Sequence, residues 1–231
     1  MDNKHARYLP QIRLEEIGKD GQNKLSNSSV LIIGCGALGS PVAMYLAGAG
    51  VGRLVLADFD TIDPSNLHRQ IFYNENEVGD LKALCLKKRI SQLNSDIKVD
   101  IVTKFVTAKI LAEIASQIDV IVDAADNPST TYMLDKYCKE KAIPLSIAGV
   151  SAWNAQIFTY IPGSFTYSDI FTPPVNDEGL LPCSVSGIIG PVAGIAASFQ
   201  ALEVIKILTG NSVKKSRLIS ADFLNIIINT F

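Results

Sequence analysis

The stretch Val30-Leu31-Ile32-Ile33-Gly34-Cys35-Gly36-Ala37-Leu38-Gly39 decides the fold class of this chain. Four consecutive apolar residues are typical of a buried strand, and a glycine turn of the form G-x-G-x-x-G follows them directly. Gly34 permits a tight turn, Gly36 lets the backbone approach a phosphate, and Gly39 lets the next helix pack closely on the strand. The pattern therefore predicts the start of a nucleotide-binding βαβ unit, in which helix amides point at an anion.

An acidic residue follows the next apolar run. Asp58 comes directly after Leu54-Val55-Leu56-Ala57, at the end of the predicted second strand, where a carboxylate accepts hydrogen bonds from ribose hydroxyls. The glycine pattern alone does not separate a dinucleotide from ATP, and a turn without a ligand is a third possibility. Because strand, turn, helix and acid occur in order, together they favour nucleotide binding.

Composition restricts the remaining classes of protein. The chain has 231 residues, of which 48% are hydrophobic and 19% charged, so we expect one compact domain over residues 1–231. A net charge of -2 offers no broad basic field for nucleic acid. Residues 1–5 are polar and no apolar stretch follows them, so we expect a cytoplasmic protein rather than a secreted one.

The longest apolar segment, residues 188–208, approaches the length of a membrane span. It contains a proline, a glutamine, a glutamate and a lysine, which favours a buried helix over a membrane helix. The four cysteines form no C-x-x-C pair and the chain has two histidines, so neither a disulfide framework nor a histidine-rich metal site is expected. The chemistry therefore depends on carboxylates, basic side chains, backbone amides and at most one thiol.

The order of apolar runs and helical spacings predicts an α/β fold: a Rossmann-like, doubly wound, mostly parallel sheet with antiparallel C-terminal strands. The predicted strands are 30–33, 53–57, 97–102, 120–122, 144–147, 156–161 and 217–222, and the predicted helices are 14–25, 38–49, 82–94, 108–116, 129–141 and 188–208. Residues 162–182 are rich in proline and glycine and form a candidate mobile crossover loop, with an ordered surface excursion as the alternative. Function is expected at the carboxyl ends of the strands.

The long loop after the second strand carries basic groups. Ser65-Asn66-Leu67-His68-Arg69-Gln70 lies in this loop, and Gly79-Asp80-Leu81-Lys82 opens the next helix. Arg69 and Lys82 are thereby expected to act as phosphate partners near Asp58. A dehydrogenase needs little positive charge beyond the helix terminus, whereas a triphosphate calls for cations and a metal. ATP is therefore favoured over NAD.

The same residues carry a close resemblance to a known family. The chain resembles the E1-like adenylyltransferases of the ThiF/MoeB/HesA family in segments that span nearly its whole length. These segments are Arg7-Tyr8, Gln11-Ile12, Asp20-Gly21-Gln22, the glycine turn, Ala49-Gly50-Val51-Gly52, Asp58-Phe59-Asp60, 65–70, 79–82, Asp126-Asn127, Gly190-Pro191-Val192 and Gln200-Ala201-Leu202-Glu203. The asparagine-x-x-arginine-glutamine loop and the later aspartate-asparagine pair are specific in combination.

This resemblance implies that the C-terminal glycine carboxylate of a small ubiquitin-like sulfur carrier, ThiS-like or MoaD-like, attacks the α-phosphate of ATP, for thiamine or molybdopterin biosynthesis. It also implies a homodimer with both sites near the interface. Asp58 would hold the ribose and Asp126 the Mg²⁺ ion. Asn66, Arg69 and Lys82 would contact the phosphates.

The residues with expected roles form two sets. The nucleotide-binding set is Gly34, Gly36, Ala37, Gly39, Asp58, Asp60, Ser65, Asn66, Arg69, Gln70, Lys82, Asp126 and Asn127, and the catalytic set is Arg69, Lys82, Asp126 and Cys183. Three of these assignments have structural alternatives. Asp126 could instead cap the helix that follows it, Asp60 could be structural, and Cys183 could be an inert thiol rather than a covalent link to the carrier.

The chain departs from the family pattern at several positions. Many relatives bind structural zinc through two C-x-x-C pairs, but the first pair aligns with Thr166 and Asp169, so no zinc site is expected. Two family arginines align with Pro10 and Thr131. Proline donates nothing to a phosphate, so either a neighbouring arginine substitutes or the triphosphate is held more weakly.

Three alternatives to a sulfur-carrier adenylyltransferase follow from these observations. The same chemistry could activate a peptide or a small-molecule carboxylate. An NAD-dependent oxidoreductase would use the same glycine turn and would transfer hydride without pyrophosphate exchange. A weakly catalytic binding protein would retain the fold and bind ATP without turnover. Weak similarity favours the ThiF type, which serves thiamine, over the MoeB type.

Overall fold

The computed structural model of the chain describes residues 6–172, 187–211 and 214–231. Among these residues are eight α-helices and eight strands, numbered in chain order, and two 3₁₀ turns, Pro64–Asn66 and Glu75–Glu77. The helices are α1 (Leu9–Ile12), α2 (Gly18–Asn27), α3 (Gly39–Ala49), α4 (Lys82–Leu93), α5 (Ala108–Ile114), α6 (Pro128–Lys141), α7 (Tyr167–Ile170) and α8 (Gly190–Thr209). The strands are β1 (Ser29–Ile33), β2 (Arg53–Ala57), β3 (Lys98–Val102), β4 (Val120–Asp123), β5 (Leu145–Ser151), β6 (Asn154–Tyr160), β7 (Arg217–Asp222) and β8 (Ile227–Thr230).

The eight strands form one sheet in the order β3-β2-β1-β4-β5-β6-β7-β8. Strands β1 to β5 pair in parallel, and β6, β7 and β8 are antiparallel to their neighbours. The predicted fold class, a mostly parallel sheet with antiparallel C-terminal strands, is confirmed. From β1 the chain proceeds outward to β2 and β3, and it then crosses back to β4, which pairs with the other side of β1. This reversal of strand order creates the crevice in which ligands bind in open α/β sheets.

Strand β1 is buried on both faces. Val30 and Ile32 pack into the apolar layer shared with α3, α4 and α8. Leu31 and Ile33 pack into the opposite layer, shared with α5 and α6. Burying one such side chain contributes about 2 kcal/mol. Helices on both faces of the sheet therefore explain why the strand is continuously apolar rather than alternating.

Helix α8 is a core element, as the sequence predicts. By length and composition it could cross a membrane, but half of its most apolar part is buried within the protein. Its Gln200 side chain is completely buried, and the amide nitrogen donates to the main-chain oxygens of Asp123 (2.8 Å) and Ser146 (3.0 Å). One polar side chain thereby attaches the helix to β4 and β5 beside the crevice.

The structure differs from the sequence-based elements in several places. The helix predicted at 14–25 lies at Gly18–Asn27, and the strand predicted at 144–147 continues to Ser151. Strand β8 was not predicted, because all four of its residues are exposed and none supplies a periodic buried face. In the candidate crossover loop, residues 162–172 contain α7, and the remainder lies outside the described residues.

Candidate nucleotide-binding site

A cavity of about 250 Å³ opens at the carboxyl ends of β1, β2, β4 and β5. Its lining combines the glycine turn, the segment after β2, the start of α4, the turn after β4 and the end of β5. The predicted nucleotide-binding residues in this lining are Gly34, Gly36, Ala37, Asp58, Asp60, Arg69, Gln70, Lys82, Asp126 and Asn127. Side chains that are far apart in the sequence are thus brought together at the predicted edge of the sheet.

The glycine turn has the geometry that its sequence predicts. Gly34 has a φ of +90°, and a Cβ atom there would lie 2.5 Å from the carbonyl oxygen of Ala124. A Cβ atom on Gly39 would overlap the carbonyl oxygen of Gly34. At Gly36 the nearest atom to a Cβ would be the amide nitrogen of Gln70, at 3.5 Å. The backbone is therefore closely packed at Gly34 and Gly39, while at Gly36 it faces the cavity.

Asp58 braces the glycine turn from the end of β2. Its two carboxylate oxygens accept hydrogen bonds from the main-chain amides of Cys35 (2.6 Å) and Asp60 (2.8 Å). Burial raises the pKa of the Asp58 carboxyl, and these two hydrogen bonds oppose that shift. The carboxylate retains acceptor capacity for a ribose hydroxyl, since each oxygen has a second lone pair. Asp58 therefore has a structural role, and its contact with a ribose stays a prediction.

Lys82 is the first residue of α4, and its side chain is only 7% exposed. Its ammonium lies 2.9 Å from the carboxylate of Asp60. Behind it, the hydroxyl of the buried Tyr73 donates to the main-chain oxygen of Cys35 (2.7 Å), with the Lys82 carbonyl oxygen at 3.3 Å. Tyr73 thus connects the glycine turn to α4, a role that no motif indicates.

Arg69 reaches the cavity from the loop after β2. Its guanidinium donates to the main-chain oxygen of Ser65 at 3.0 Å and lies 2.8 Å from the His68 ring. Ser65 and Asn66 are predicted to bind nucleotide. In this structure Asn66 forms a capping box with Asp63 around the 3₁₀ turn Pro64–Asn66, and the Ser65 hydroxyl donates to the Asp63 carboxylate. Neither belongs to the cavity lining. They order the loop that carries Arg69.

Gln70 lies beside Arg69 and faces the glycine turn. The residue is 5% exposed, and its amide oxygen is buried without a hydrogen-bond partner among the described residues. A buried unpaired acceptor costs about 1–3 kcal/mol. A hydrogen bond from a bound water or from a ligand would offset this cost.

The two residues of the aspartate-asparagine pair after β4 have different contacts. Asn127 caps α6, because its side-chain oxygen accepts hydrogen bonds from the Thr130 amide and the Ser129 hydroxyl, both at 2.9 Å. Asp126 is exposed to the cavity and makes no hydrogen bond or ion pair within the described parts of the chain. The alternative in which Asp126 caps the helix is therefore wrong. Its unpaired carboxylate is the kind of group that binds Mg²⁺ together with water and phosphate oxygens.

A second carboxyl group, Asp123, is buried behind this turn. It accepts hydrogen bonds from the Thr131 hydroxyl (2.6 Å) and the Ala125 amide (3.1 Å), and it has no cationic partner among the described residues. Burial raises the pKa of the Asp123 carboxyl to about 6. The Thr131 hydroxyl therefore serves a buried carboxyl group, and Thr131 is not among the residues that line the cavity.

The segment after β3 also lines the cavity, although the sequence analysis did not assign it a role. It contributes Lys104 and Phe105, and the Phe105 ring contacts that of Phe59 at a centroid distance of 5.5 Å. Both rings are about half exposed. The order of a parallel sheet could have identified this segment, because β3 ends at the same edge as β1 and β2.

The three described cysteines, and the two positions that align with the first zinc-binding pair of relatives, do not line the cavity. Cys35, Cys85 and Cys138 are buried, as their sequence positions suggest. Thr166 and Asp169 form a capping box at the start of α7, with the Asp169 carboxylate accepting from both the amide and the hydroxyl of Thr166 at 2.8 Å. The prediction for Cys183 lies outside the described residues.

The sheet, the glycine turn and the charged cavity define a nucleotide-binding α/β protein. Comparison with known sequences is more specific, since the profile of the ThiF family matches residues 8–231. The chain belongs to the ThiF family. The predicted resemblance is therefore confirmed over nearly the whole sequence.

Individual relatives agree with this assignment. The chain is 44% identical over 232 residues to the adenylyltransferase and sulfurtransferase MOCS3 of Dictyostelium discoideum, covering 99% of this chain and 54% of that protein. It is 39% identical over 211 residues to the sulfur carrier protein ThiS adenylyltransferase of Escherichia coli, covering 90% of this chain and 83% of the relative. The chain thus spans about half the length of MOCS3 relatives.

Solved structures show the same fold. The crystal structure of E. coli MccB with ATP superimposes with a TM-score of 0.86 at 26% identity, covering 100% of this chain and 71% of MccB. Another MccB structure, with a MccA variant, has a TM-score of 0.84. The E1-like form of the Rossmann-like fold is confirmed.

The raised pKa of Asp123 predicts a pH dependence of stability. An unfolded aspartate has a pKa of about 3.9. Between about pH 4 and pH 6 the Asp123 carboxyl therefore keeps its proton in the folded chain and loses it in the unfolded chain. The free energy of unfolding falls as the pH rises through this range. An asparagine at this position has no proton to lose. We therefore expect the free energy of unfolding of Asp123→Asn, relative to that of the unsubstituted chain, to rise by about 2–3 kcal/mol between pH 4 and pH 7.5. Urea unfolding at several pH values measures this difference; parallel stability curves for the two proteins would contradict the assignment.

Proposed function

We propose that this chain is an ATP-dependent adenylyltransferase that activates the C-terminal glycine carboxylate of a small ubiquitin-like sulfur carrier. The observation that carries the proposal is the convergence of Arg69, Lys82 and Asp126 on one cavity with the glycine turn. The E. coli relative is named as an adenylyltransferase of the sulfur carrier ThiS, and MOCS3 relatives are named as adenylyltransferases. These names favour this reaction over NAD-dependent hydride transfer.

The proposed reaction needs charge neutralisation more than proton transfer. A carboxylate oxygen of the carrier attacks the α-phosphorus of ATP, and the bond from that phosphorus to the bridging oxygen breaks. Pyrophosphate leaves with the bonding electron pair, and an acyl-adenylate remains. A carboxylate is already a nucleophile, so the protein's task is to orient ATP and stabilise negative charge. Arg69 and Lys82 supply positive charge, and the amides of the glycine turn add donors.

Magnesium fits the donor set of the site. Asp126 supplies an exposed carboxylate that helix capping does not use, because Asn127 performs that role. Mg²⁺ is commonly held by one or two carboxylates plus substrate phosphates and water. When bound, the ion would neutralise phosphate charge as pyrophosphate forms. We therefore assign Asp126 as its protein ligand.

A peptide carboxylate is the second candidate substrate. Solved structures of MccB include complexes with MccA, and this chain superimposes on one of them with a TM-score of 0.81. The sequence relatives named for sulfur carriers are more similar, at 39% to 44% identity against 27% for that structure. We therefore place the carrier first. A ThiS-like carrier for thiamine comes ahead of a MoaD-like one for molybdopterin, because ThiS is the carrier named for the E. coli relative, of which the match covers 83%.

We further propose a homodimer. A second cavity is lined mainly by apolar side chains, including Tyr45, Phe72 and Leu93. Ile71, directly adjacent in sequence to Phe72, is 74% exposed. Clustered exposed apolar residues are typical of a subunit interface. Because Ile71 also follows Arg69-Gln70, this interface would lie next to the nucleotide site.

Removal of either cation should slow adenylation without unfolding the chain. We expect Arg69→Met and Lys82→Met, which keep apolar stems of similar length, to lower carrier-dependent ATP–pyrophosphate exchange by about 100-fold, because each removes positive charge from the phosphates. The melting temperature should move by no more than about 4 °C. Lys88→Met, an exposed change on α4, is the matched control and should retain exchange. Unchanged exchange in both cavity variants would remove the assignment.

Asp126→Asn tests the metal site. We expect the Mg²⁺ concentration for half-maximal exchange to rise about tenfold, since the substitution removes the anionic ligand and keeps the size of the side chain. A titration of exchange rate against Mg²⁺ at saturating ATP measures the effect. An unaltered Mg²⁺ titration would exclude Asp126 as the ligand.

Ile71→Asp tests the proposed interface. A carboxylate buried between two apolar surfaces is costly, so we expect the variant to be monomeric in light scattering coupled to size-exclusion chromatography, while the unsubstituted chain is dimeric. Leu224→Asp, at an exposed apolar position beyond β7, is the control and should remain dimeric. A dimeric Ile71→Asp variant would place the interface elsewhere.

A further inference from the structure

The ammonium of Lys82 has one anionic contact in the described parts of the chain. Its nitrogen lies 2.9 Å from a carboxylate oxygen of Asp60, whose side chain is about half exposed. The Lys82 side chain, by contrast, is almost completely buried. A buried ammonium is unfavourable without a counter-charge, so this carboxylate is the group that makes a charged lysine tolerable at the position.

Asp60 is itself held firmly. Its amide donates to the Asp58 carboxylate at 2.8 Å, and its carbonyl oxygen accepts from the Lys82 amide at 3.0 Å. Next to this contact, the Ile62 amide donates to the Asp80 carbonyl and the Gly79 amide donates to the Ile62 carbonyl, both at 2.9 Å. The segments 60–62 and 79–82 therefore pair as a short ladder, which fixes the Asp60 backbone relative to Lys82.

Asp60 also connects the glycine turn to Lys82. The Asp58 carboxylate that accepts from its amide accepts from the Cys35 amide as well, at 2.6 Å. One hydrogen-bonded path therefore runs from the glycine turn through Asp58 and Asp60 to the Lys82 ammonium. The backbone of the glycine turn and the lysine charge are therefore held in one fixed arrangement.

We propose that Asp60 is a positioning residue, which orients the Lys82 ammonium towards the phosphates of the bound nucleotide, and that it is not itself a nucleotide ligand. An ammonium has three N–H donors. Asp60 accepts one, which leaves two for phosphate oxygens. This inference rests on the proposed function, because it assumes a phosphorylated substrate in the cavity.

A double-substitution cycle tests the proposal. The four proteins are the unsubstituted chain, Asp60→Ala, Lys82→Met and the double variant, and the two readouts are calorimetric affinity for a non-hydrolysable ATP analogue with Mg²⁺ and the rate of ATP–pyrophosphate exchange. We expect Asp60→Ala to weaken analogue binding about tenfold when Lys82 is present and less than twofold when it is absent. Asp60→Asn keeps a neutral acceptor of the same size and should recover part of the affinity.

Matched measurements separate this role from simple folding support. Asp80→Asn changes an exposed carboxylate next to the same ladder and should leave affinity unchanged. Asp60→Ala is expected to lower the melting temperature, because it leaves the almost buried ammonium of Lys82 without its counter-charge, whereas the double variant removes both charges and should melt within about 4 °C of the unsubstituted chain. Affinity is therefore measured well below the melting temperature of each variant. A loss from Asp60→Ala that is equally large without Lys82 would overturn the proposal, as would tighter binding, which would show that Asp60 competes with phosphate for the lysine.

The two readouts also distinguish this inference from the proposed function. If analogue binding shows the expected coupling and no carrier supports exchange, the positioning role stands and the adenylyltransferase assignment fails. If exchange is robust and the coupling is absent, the assignment stands and the positioning role fails.

Discussion

Close approach of main-chain segments at the glycine turn is the constraint on which the rest of the site depends. The Gly34 backbone lies against the carbonyl of Ala124, and Gly39 lies against the carbonyl of Gly34. No side chain fits at either position, so the ends of β1, β4 and α3 are held together by backbone contact. This contact fixes the distance between the amides of the turn and the segment that carries Asp126. A ligand in the crevice therefore meets groups whose spacing does not depend on flexible side chains.

The cavity lining has no excess of positive charge, and its charged side chains differ in whether they are paired. The lining contains three acidic residues, Asp58, Asp60 and Asp126, and three basic ones, Arg69, Lys82 and Lys104. Formal charge alone thus gives no net attraction for a polyphosphate. The three acids differ in their contacts: Asp58 accepts from two main-chain amides, Asp60 pairs with Lys82, and the Asp126 side chain has no hydrogen bond or ion pair within the described residues. Two of the three carboxylates are therefore already occupied, and under the proposed function the cations serve the phosphates of ATP.

Most of the fold follows from local pattern. The apolar run at β1 predicts a strand buried on both faces, and β2 and β7 have the bounds that their sequences indicate. Hydrophobic periodicity does not predict elements whose side chains are exposed. Strand β8 is exposed at all four residues, so its existence depends on pairing with β7 rather than on a buried face. The partition of the loop after β2 into two 3₁₀ turns depends likewise on capping by Asp63 and Asn74, which hydrophobic periodicity does not report.

The sequence by itself determined the class of site: a glycine turn, a carboxylate after β2, two cations and a later acid predict a phosphate-binding crevice, because these chemical types at these strand ends have few other uses. The tertiary structure decided which side chains face that crevice. Asn66 caps a 3₁₀ turn with Asp63, Asn127 caps α6, and the Asp126 side chain has no hydrogen bond or ion pair within the part of the chain that the structure describes. The tertiary structure also placed Tyr73 behind the turn and Lys104 in the lining. These outcomes depend on hydrogen-bond geometry and burial between segments distant in the chain, and linear spacing carries no record of either.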